Sequence, residues 1–401
     1  MIKMKREKLR KLIIAVSLVA ALAIVIPMMS GCLGKPAAAP PEAAPPEAAP
    51  PEAVAPPEAP AEAAPTYQLR ITSPFGAPDT EKDMRKNYAD VLEALSGGRI
   101  TATVYEPGEL MPEGEVVAAV RAGTIDICWW YATTGFETQF RDLECGFPFQ
   151  TSCPSEMKSL LWRRGFDNLI AESYDEIGVK YIHNAMTDPF NVISTVPIET
   201  YEDFDGIKMN VTGPLAPAFG PAGVSTVVFP VEEFYLTAQT GVVDALFWAG
   251  AVEYSGMNLY EVYPYIMMPC FVDCCNSSIL MNQELWDSMS PEDQAIIFYA
   301  TEHMDYWCFI DRFNGQSRDL GNWPNIITLS NDGIQNLFEN QLLEVKEIAK
   351  RNPRCAEGVK IWLEYKIELL DNKWLHGAYD LDPAPIYDLL DEMRAEGLIF
   401  D

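Results

Sequence analysis

Histidine is almost missing from this chain, with three in 401 residues, and basic side chains are outnumbered two to one, 29 against 58 acidic. Each deficit excludes something. His183, His303 and His376 are too far apart in sequence to suggest a catalytic base. No Gly-x-Ser-x-Gly, His-Glu-x-x-His or phosphate-cradling glycine loop supplies the rest of an active centre. Cys-x-x-Cys pairs are also absent, so neither a zinc cluster nor any other metal or cofactor is expected. A net charge of −29 leaves no basic surface for nucleic acid. Such acidity suits a salty habitat or simple solubility, and composition does not separate the two.

Long apolar runs are also scarce, and the one that stands out is at the start. Lys3, Lys5, Arg6, Lys8, Arg10 and Lys11 precede an apolar stretch over 12–29, and Ser30-Gly31-Cys32 follows. Basic, apolar, then small is the order of an export signal, and a cysteine just past small residues is where a peptidase would cut and a lipid be added. The rival is a plain membrane anchor, since the run approaches the roughly 20 residues that span a bilayer. On either reading the rest of the chain faces outward. Residues 1–32 are therefore expected to be a lipoprotein signal with Cys32 as the lipidation site.

Over 33–65 the chain turns to alanine, proline and glutamate, with Ala-Pro-Pro-Glu-Ala recurring. No core forms from these residues. Proline stiffens the segment and glutamate solvates it, so it reads as a disordered spacer holding a folded body off a membrane. Eight cysteines follow Cys32, an even number, which favours disulfides outside the cell. Cys145 and Cys153 bracket a short loop and are the easiest pair to close. Cys270, Cys274 and Cys275 cannot be assigned partners.

From residue 66 the periodicity alternates between strand and helix. Strands are expected at 67–73, 100–105, 125–130, 179–183, 190–195, 207–211, 226–229 and 245–248. Helices are expected at 79–95, 113–122, 154–177, from about 215, and at 232–239. Beyond 283 the chain reads as helical, at 291–313, 332–350, 356–373 and 385–396. This alternation predicts an α/β fold of two lobes with mainly parallel sheets and a helical C-terminal part. The first lobe is placed at 66–189 and the second at 190–250, with 251–401 crossing over and completing both. A cleft between two such lobes suits a solute trap, and its lining falls at the carboxyl ends of the strands. The residues there are unusually aromatic: Trp129, Trp130, Tyr131, Phe190, Asn191, Phe247 and Trp248. Because side chains alternate along a strand, only one of Trp129 and Trp130 can face a cleft.

Four blocks carry a resemblance. They are Gly97-Gly98-Arg99-Ile100-Thr101 running on to Gly123, Ile125 and Asp126; Gly206-Ile207-Lys208-Met209; Glu233-Phe234-Tyr235 with Gln239-Thr240-Gly241-Val242-Val243-Asp244-Ala245; and Met281-Asn282-Gln283-Glu284-Leu285-Trp286 before Ser290-Pro291-Glu292-Asp293-Gln294. In this order they resemble the DctP-like extracytoplasmic solute-binding proteins of tripartite ATP-independent periplasmic (TRAP) transporters, and among these the 2-oxoacid-binding branch. The resemblance implies a periplasmic-binding-protein-like fold and a receptor, not an enzyme, that delivers a small organic solute to TRAP membrane subunits. Gly123, Asp126, Gly241 and Asp244 have a sufficient structural explanation as turn formers.

Two departures bear on the ligand. Where the family resemblance implies an arginine gripping a carboxylate, this chain has Asn210, which brings no charge. Where it implies a glutamate that helps hold a metal ion, this chain has Phe247, beside the retained Trp248. An organic acid is the family default, and these changes favour a less charged or aromatic ligand. Arg163 and Arg164 are candidates to replace the cation but read better as solvated. Asn210-Val211-Thr212 and Asn276-Ser277-Ser278 match a glycosylation pattern. A sensor or scaffold lipoprotein reporting to a membrane partner is the alternative, and an extracellular enzyme a weaker one.

Overall fold

The computed structural model describes residues 64–73, 80–130, 138–144, 146–186, 189–211, 213–272, 275–372 and 380–400. Cys32, the spacer, Tyr131, Cys145 and Cys274 lie outside the described residues.

Two mixed sheets organise residues 63–401. The first has the order β2-β1-β3-β10-β4, where β1 is Tyr67–Thr72, β2 Ile100–Val104, β3 Ile127–Trp130, β4 Val179–Met186 and β10 Asn276–Asn282. The second has the order β11-β9-β5-β8-β6-β7, built from β5 Val192–Ser194, β6 Lys208–Asn210, β7 Ser225–Val227, β8 Ala245–Phe247, β9 Tyr265–Met268 and β11 Asn325–Thr328. The expectation of mainly parallel sheets is corrected here. β10 runs antiparallel to both β3 and β4, and β5 runs antiparallel to both β8 and β9. The chain crosses between sheets after β4, returns after β9 and crosses again after β10; the first two crossings deliver the reversed strands β5 and β10, whereas β11 runs parallel to β9.

Both sheets use the same joint. In the first, Gly123 at φ +71° ends a short helix and Asp126 ties β3 to β1, its carboxylate accepting from the Arg70 amide at 2.7 Å and from the Arg70 guanidinium at 2.8 and 2.9 Å. In the second, Gly241 at φ +69° ends the helix Phe234–Gln239, and Asp244 Oδ2 accepts from the Lys208 amide at 2.9 Å. Glycine takes the left-handed turn without a Cβ clash, and the carboxylate satisfies an amide of the neighbouring strand. These positions are scaffold.

The helix expected over 154–177 is two helices, Pro154–Arg164 and Phe166–Asp175, broken at Gly165 with φ +79°. The helix expected from about 215 is two isolated turns, Gly213–Leu215 and Gly220–Ala222. Pro217 and Pro221 remove backbone donors there and stop propagation. The longest helix among the described residues, Pro291–Asp319, is capped by Ser290, whose hydroxyl accepts from the Asp293 amide. It packs along β4 and the helix Thr80–Leu95, and at its other end against Ala251–Gly256. There Arg312 forms a buried ion pair with Glu253. The helices Asn331–Ala349 and Pro353–Asp371 pair with each other, the second packing on the Pro154–Arg164 and Phe166–Asp175 helices.

Candidate ligand-binding cleft

The carboxyl ends of β3 and β4 and the start of β10 meet the crossing segments at one end of the first sheet; Phe190, Asn210, Phe247 and Met268 mark the corresponding end of the second. The crossings are stitched to each other. Phe190 N–H donates to Val272 O at 2.7 Å, and Phe149 N–H donates to Phe271 O at 2.7 Å. Phe149 holds φ +67°, a conformation unfavourable for a ring-bearing residue.

Around that stitch lies a cluster of phenylalanines drawn from both halves of the chain. Phe149 lies 5.4 Å from Phe271 and 5.8 Å from Phe338; Phe247 lies 5.5 Å from Phe219, 6.2 Å from Phe271 and 6.3 Å from Phe190. Phe247 is fully buried, and Phe190 is 8% exposed. Edge-on and tilted contacts at these distances are each worth about 0.5–1.5 kcal/mol beyond area burial. This clustering was not visible in sequence, because Phe149, Phe219, Phe271 and Phe338 belong to four separate segments.

The other expected lining residues divide between scaffold and open function. Asn191 is buried and fully engaged. Its Nδ2 donates to Met267 O at 3.0 Å, its Oδ1 accepts from Gln316 Nε2 at 2.5 Å, and its carbonyl accepts from the Tyr254 hydroxyl at 3.1 Å. It bolts the crossing to the long helix. Tyr254 also accepts from the amides of Trp248 and Ala249 at 2.8 and 2.9 Å, fixing the chain after β8. Trp248 itself is half-buried against Phe234, ring centroids 5.4 Å apart.

Asn210 is 2% exposed. Its Oδ1 accepts from the Phe229 amide at 3.4 Å, and its Nδ2 has no hydrogen-bond partner. A buried donor left unmade costs about 1–3 kcal/mol, so it is a position that rewards an incoming acceptor. The register sets Asn210 beside Leu246, so Asn210 and Phe247 start from opposite faces of the second sheet. The two departures read from the sequence are thus split by the pleat.

In the first sheet both tryptophans are buried. Trp129 Nε1 donates to Ser277 Oγ at 2.6 Å. Trp130 shares the opposite face with Ser278 and Asn184 through the β3-β10-β4 register. On that face Glu144 Oε1 accepts from Tyr174 at 2.8 Å and from Ser278 at 2.5 Å, and its carbonyl accepts from Asn276 Nδ2 at 3.0 Å. The Asn184 amide and Asn276 Oδ1 are buried without partners. This polar patch was missed in the sequence, where Asn276-Ser277-Ser278 matched a glycosylation pattern. Buried at the heart of a sheet, Asn276 is closed to a glycan. His183 is stacked between Trp162 and Phe298 at 5.1 and 5.2 Å, and burial, aided by Lys158, lowers its pKa to about 3. It is neutral and structural.

The chain matches bacterial extracellular solute-binding protein family 7 (DctP) over residues 76–308. It belongs to that family. It is a TRAP-type extracytoplasmic solute receptor, and the two mixed sheets give it the α/β two-lobe fold of such proteins. A monocarboxylate 2-oxoacid-binding periplasmic protein of Nostoc sp. is 25% identical over 294 residues, 69% of this chain and 77% of that protein. A TRAP solute-binding protein of Chromohalobacter salexigens, solved with (S)-(+)-2-amino-1-propanol, has a TM-score of 0.69 at 20% identity, covering 77% of this chain and 98% of that one. One of Colwellia psychrerythraea, solved with calcium and pyruvate, has a TM-score of 0.68 at 18% identity, covering 83% and 99%.

Proposed function

We propose that this receptor takes a small organic solute carrying little net negative charge and delivers it to TRAP membrane subunits without chemistry, working from a lipid anchor at Cys32. The observation that carries the ligand reading is Asn210. It offers one uncharged buried donor, Nδ2, where the family resemblance implies a guanidinium. A donor of that kind satisfies a carbonyl or hydroxyl oxygen but lacks the charge-assisted bidentate grip that a carboxylate exploits. Ligand-bridging metal does not fit these residues either. Phe247 presents ring carbon in place of a carboxylate, and among the described residues no group of three or more His, Cys, Asp or Glu is placed to hold an ion.

Relatives bind ligands of both kinds, pyruvate with calcium in one and an amino alcohol in another. A thermal-shift panel of pyruvate, 2-amino-1-propanol, aromatic acids and neutral solutes separates the classes, since a ligand at 100 Kd stabilises by about 2.7 kcal/mol. Neutral or amine-bearing solutes should raise Tm and pyruvate should not; the reverse order refutes the ligand reading. Asn210→Arg should invert that preference. No effect of Asn210→Arg on any member of the panel places the pocket elsewhere. The anchor is tested by the mass of the mature N-terminus: an unmodified Cys32 on protein that leaves the membrane without detergent removes it.

A further inference from the structure

Three amide side chains toward the carboxyl ends of β3 and β4 are buried with hydrogen-bonding capacity unused. Asn184 is 0% exposed and uses neither end of its amide; Asn276, at 1%, leaves Oδ1 unpartnered, and Gln150, at 2%, leaves Oε1 unpartnered. All three gather at the end of the short helix Arg141–Glu144. Gln150 Nε2 donates to Leu143 O at 2.9 Å and Asn276 Nδ2 to Glu144 O at 3.0 Å, so in each the nitrogen is engaged and the unused atom is the oxygen. Asn184 stands opposite Ser278 in the β4-β10 register and shares its face, and Ser278 Oγ donates to Glu144 Oε1 at 2.5 Å. The set therefore holds three unused acceptors and one unused donor, with the Glu144 carboxyl group beside them. It lies at the cleft end of the first sheet: Gln150 follows Phe149, whose amide stitches to Phe271 O, and Asn276 opens the strand that returns from the crossing.

We propose that this patch is a first-lobe subsite for a primary ammonium group, so that the cargo is a small amine that also carries oxygen. The proposal rests on the reading of Asn210 as the uncharged donor of the second lobe, and it assigns the other end of the same ligand. Buried polar atoms in folded proteins are nearly always paired, so three deficits in one place point to an occupant that brings donors. An ammonium brings three N–H donors and no acceptor. Those match Asn184 Oδ1, Asn276 Oδ1 and Gln150 Oε1, while its charge suits the Glu144 carboxyl group. Asn184 Nδ2, the one unused donor of the set, takes a ligand oxygen. A carboxylate is the wrong occupant, because three oxygen dipoles and an acidic side chain repel it. A water molecule brings only two donors. A divalent ion takes its affinity from the number of charged ligands, and among the described residues no group of three or more His, Cys, Asp or Glu is placed to hold one.

The test is calorimetric titration of the full chain, in sodium-free buffer, with four probes. These are 2-amino-1-propanol, its N-trimethylated derivative, 1,2-propanediol and pyruvate. The amine should bind about tenfold or more tighter than the diol, since a hydrogen bond that involves a charged group outweighs a neutral one by that margin. The trimethylated probe keeps the charge but has no N–H, and it should bind no better than the diol. Glu144→Gln should erase the preference for the amine. Asn184→Leu should abolish amine binding and leave the Tm of the solute-free protein unchanged or higher, because the Asn184 side chain has no bond to lose. That second variant decides the matter if Glu144→Gln, which also disturbs Tyr174 and Ser278, fails to fold. Equal affinity for amine and diol, equal affinity for the trimethylated probe, no binding of the amine, amine binding intact in Asn184→Leu, or a Tm raised by sodium chloride alone would each overturn the proposal. Pyruvate binding tighter than amine and diol refutes the Asn210 reading beneath it, whereas amine and diol binding equally with pyruvate excluded refutes the ammonium subsite alone.

Discussion

Replacing Phe247 with alanine asks whether this ring is core or ligand surface. The side chain is fully buried and meets three other rings, Phe219, Phe271 and Phe190, at 5.5–6.3 Å. Truncation there removes the transfer free energy of the benzyl group and leaves a void that the surrounding rings, held in three separate segments, cannot collapse into. Phe→Ala changes of this kind cost about 3–5 kcal/mol. Urea unfolding of Phe247→Ala should therefore show that loss at unchanged m, because the surface exposed on unfolding hardly alters. Trp248→Ala, at a half-buried ring packed mainly on Phe234, should cost less. A loss below about 1 kcal/mol for Phe247→Ala would refute the packing argument and return this ring to the ligand.

Removing one half of the buried Arg312–Glu253 pair, as in Arg312→Met, should cost about 3–5 kcal/mol in the same assay by stranding a charge between the long helix and Ala251–Gly256; a change under 1 kcal/mol would show that water already reaches it. His183 gives a pH signature. Its folded pKa of about 3 lies below the ordinary 6.5, so the unfolded chain binds the extra proton and stability falls as pH drops from 6.5 toward 3, by up to about 1.4 kcal/mol per unit. His183→Phe should flatten that acid limb in denaturant titrations at pH 4–7, and an unaltered slope would mean that the ring is not buried neutral. Asn191→Ala should lower stability by about 1–3 kcal/mol by leaving Gln316 and the Met267 carbonyl unmatched; if it instead removes ligand binding with stability intact, Asn191 is a ligand contact.

Much of the architecture was legible because it is local. The helices over 80–95, 331–349 and 353–371 declare themselves by periodicity, the last two also by their Ser330 and Asn352 caps, and Gly123 and Gly241 declare their turns locally, although the amides that Asp126 and Asp244 accept from lie 56 and 36 residues away. β9, β10 and β11 were not legible, since β10 is buried on both faces and so has no alternation to read. Its polar start, Asn276-Ser277-Ser278, looked like surface. Only the sheet order shows that these side chains meet Trp129 and Glu144.

The candidate site divides along the same line. Sequence alone determined residue identity, Asn210 and Phe247 where the family resemblance implies an arginine and a glutamate, because identity at a position needs no neighbours. The tertiary structure decided what those residues can do. It packed Phe247 among rings from distant segments, left Asn210 Nδ2 buried without a partner, and set the two on opposite faces of one sheet. Residue type is written in the chain, whereas burial and facing follow from which strand lies beside which, a pairing set by contacts far apart in sequence.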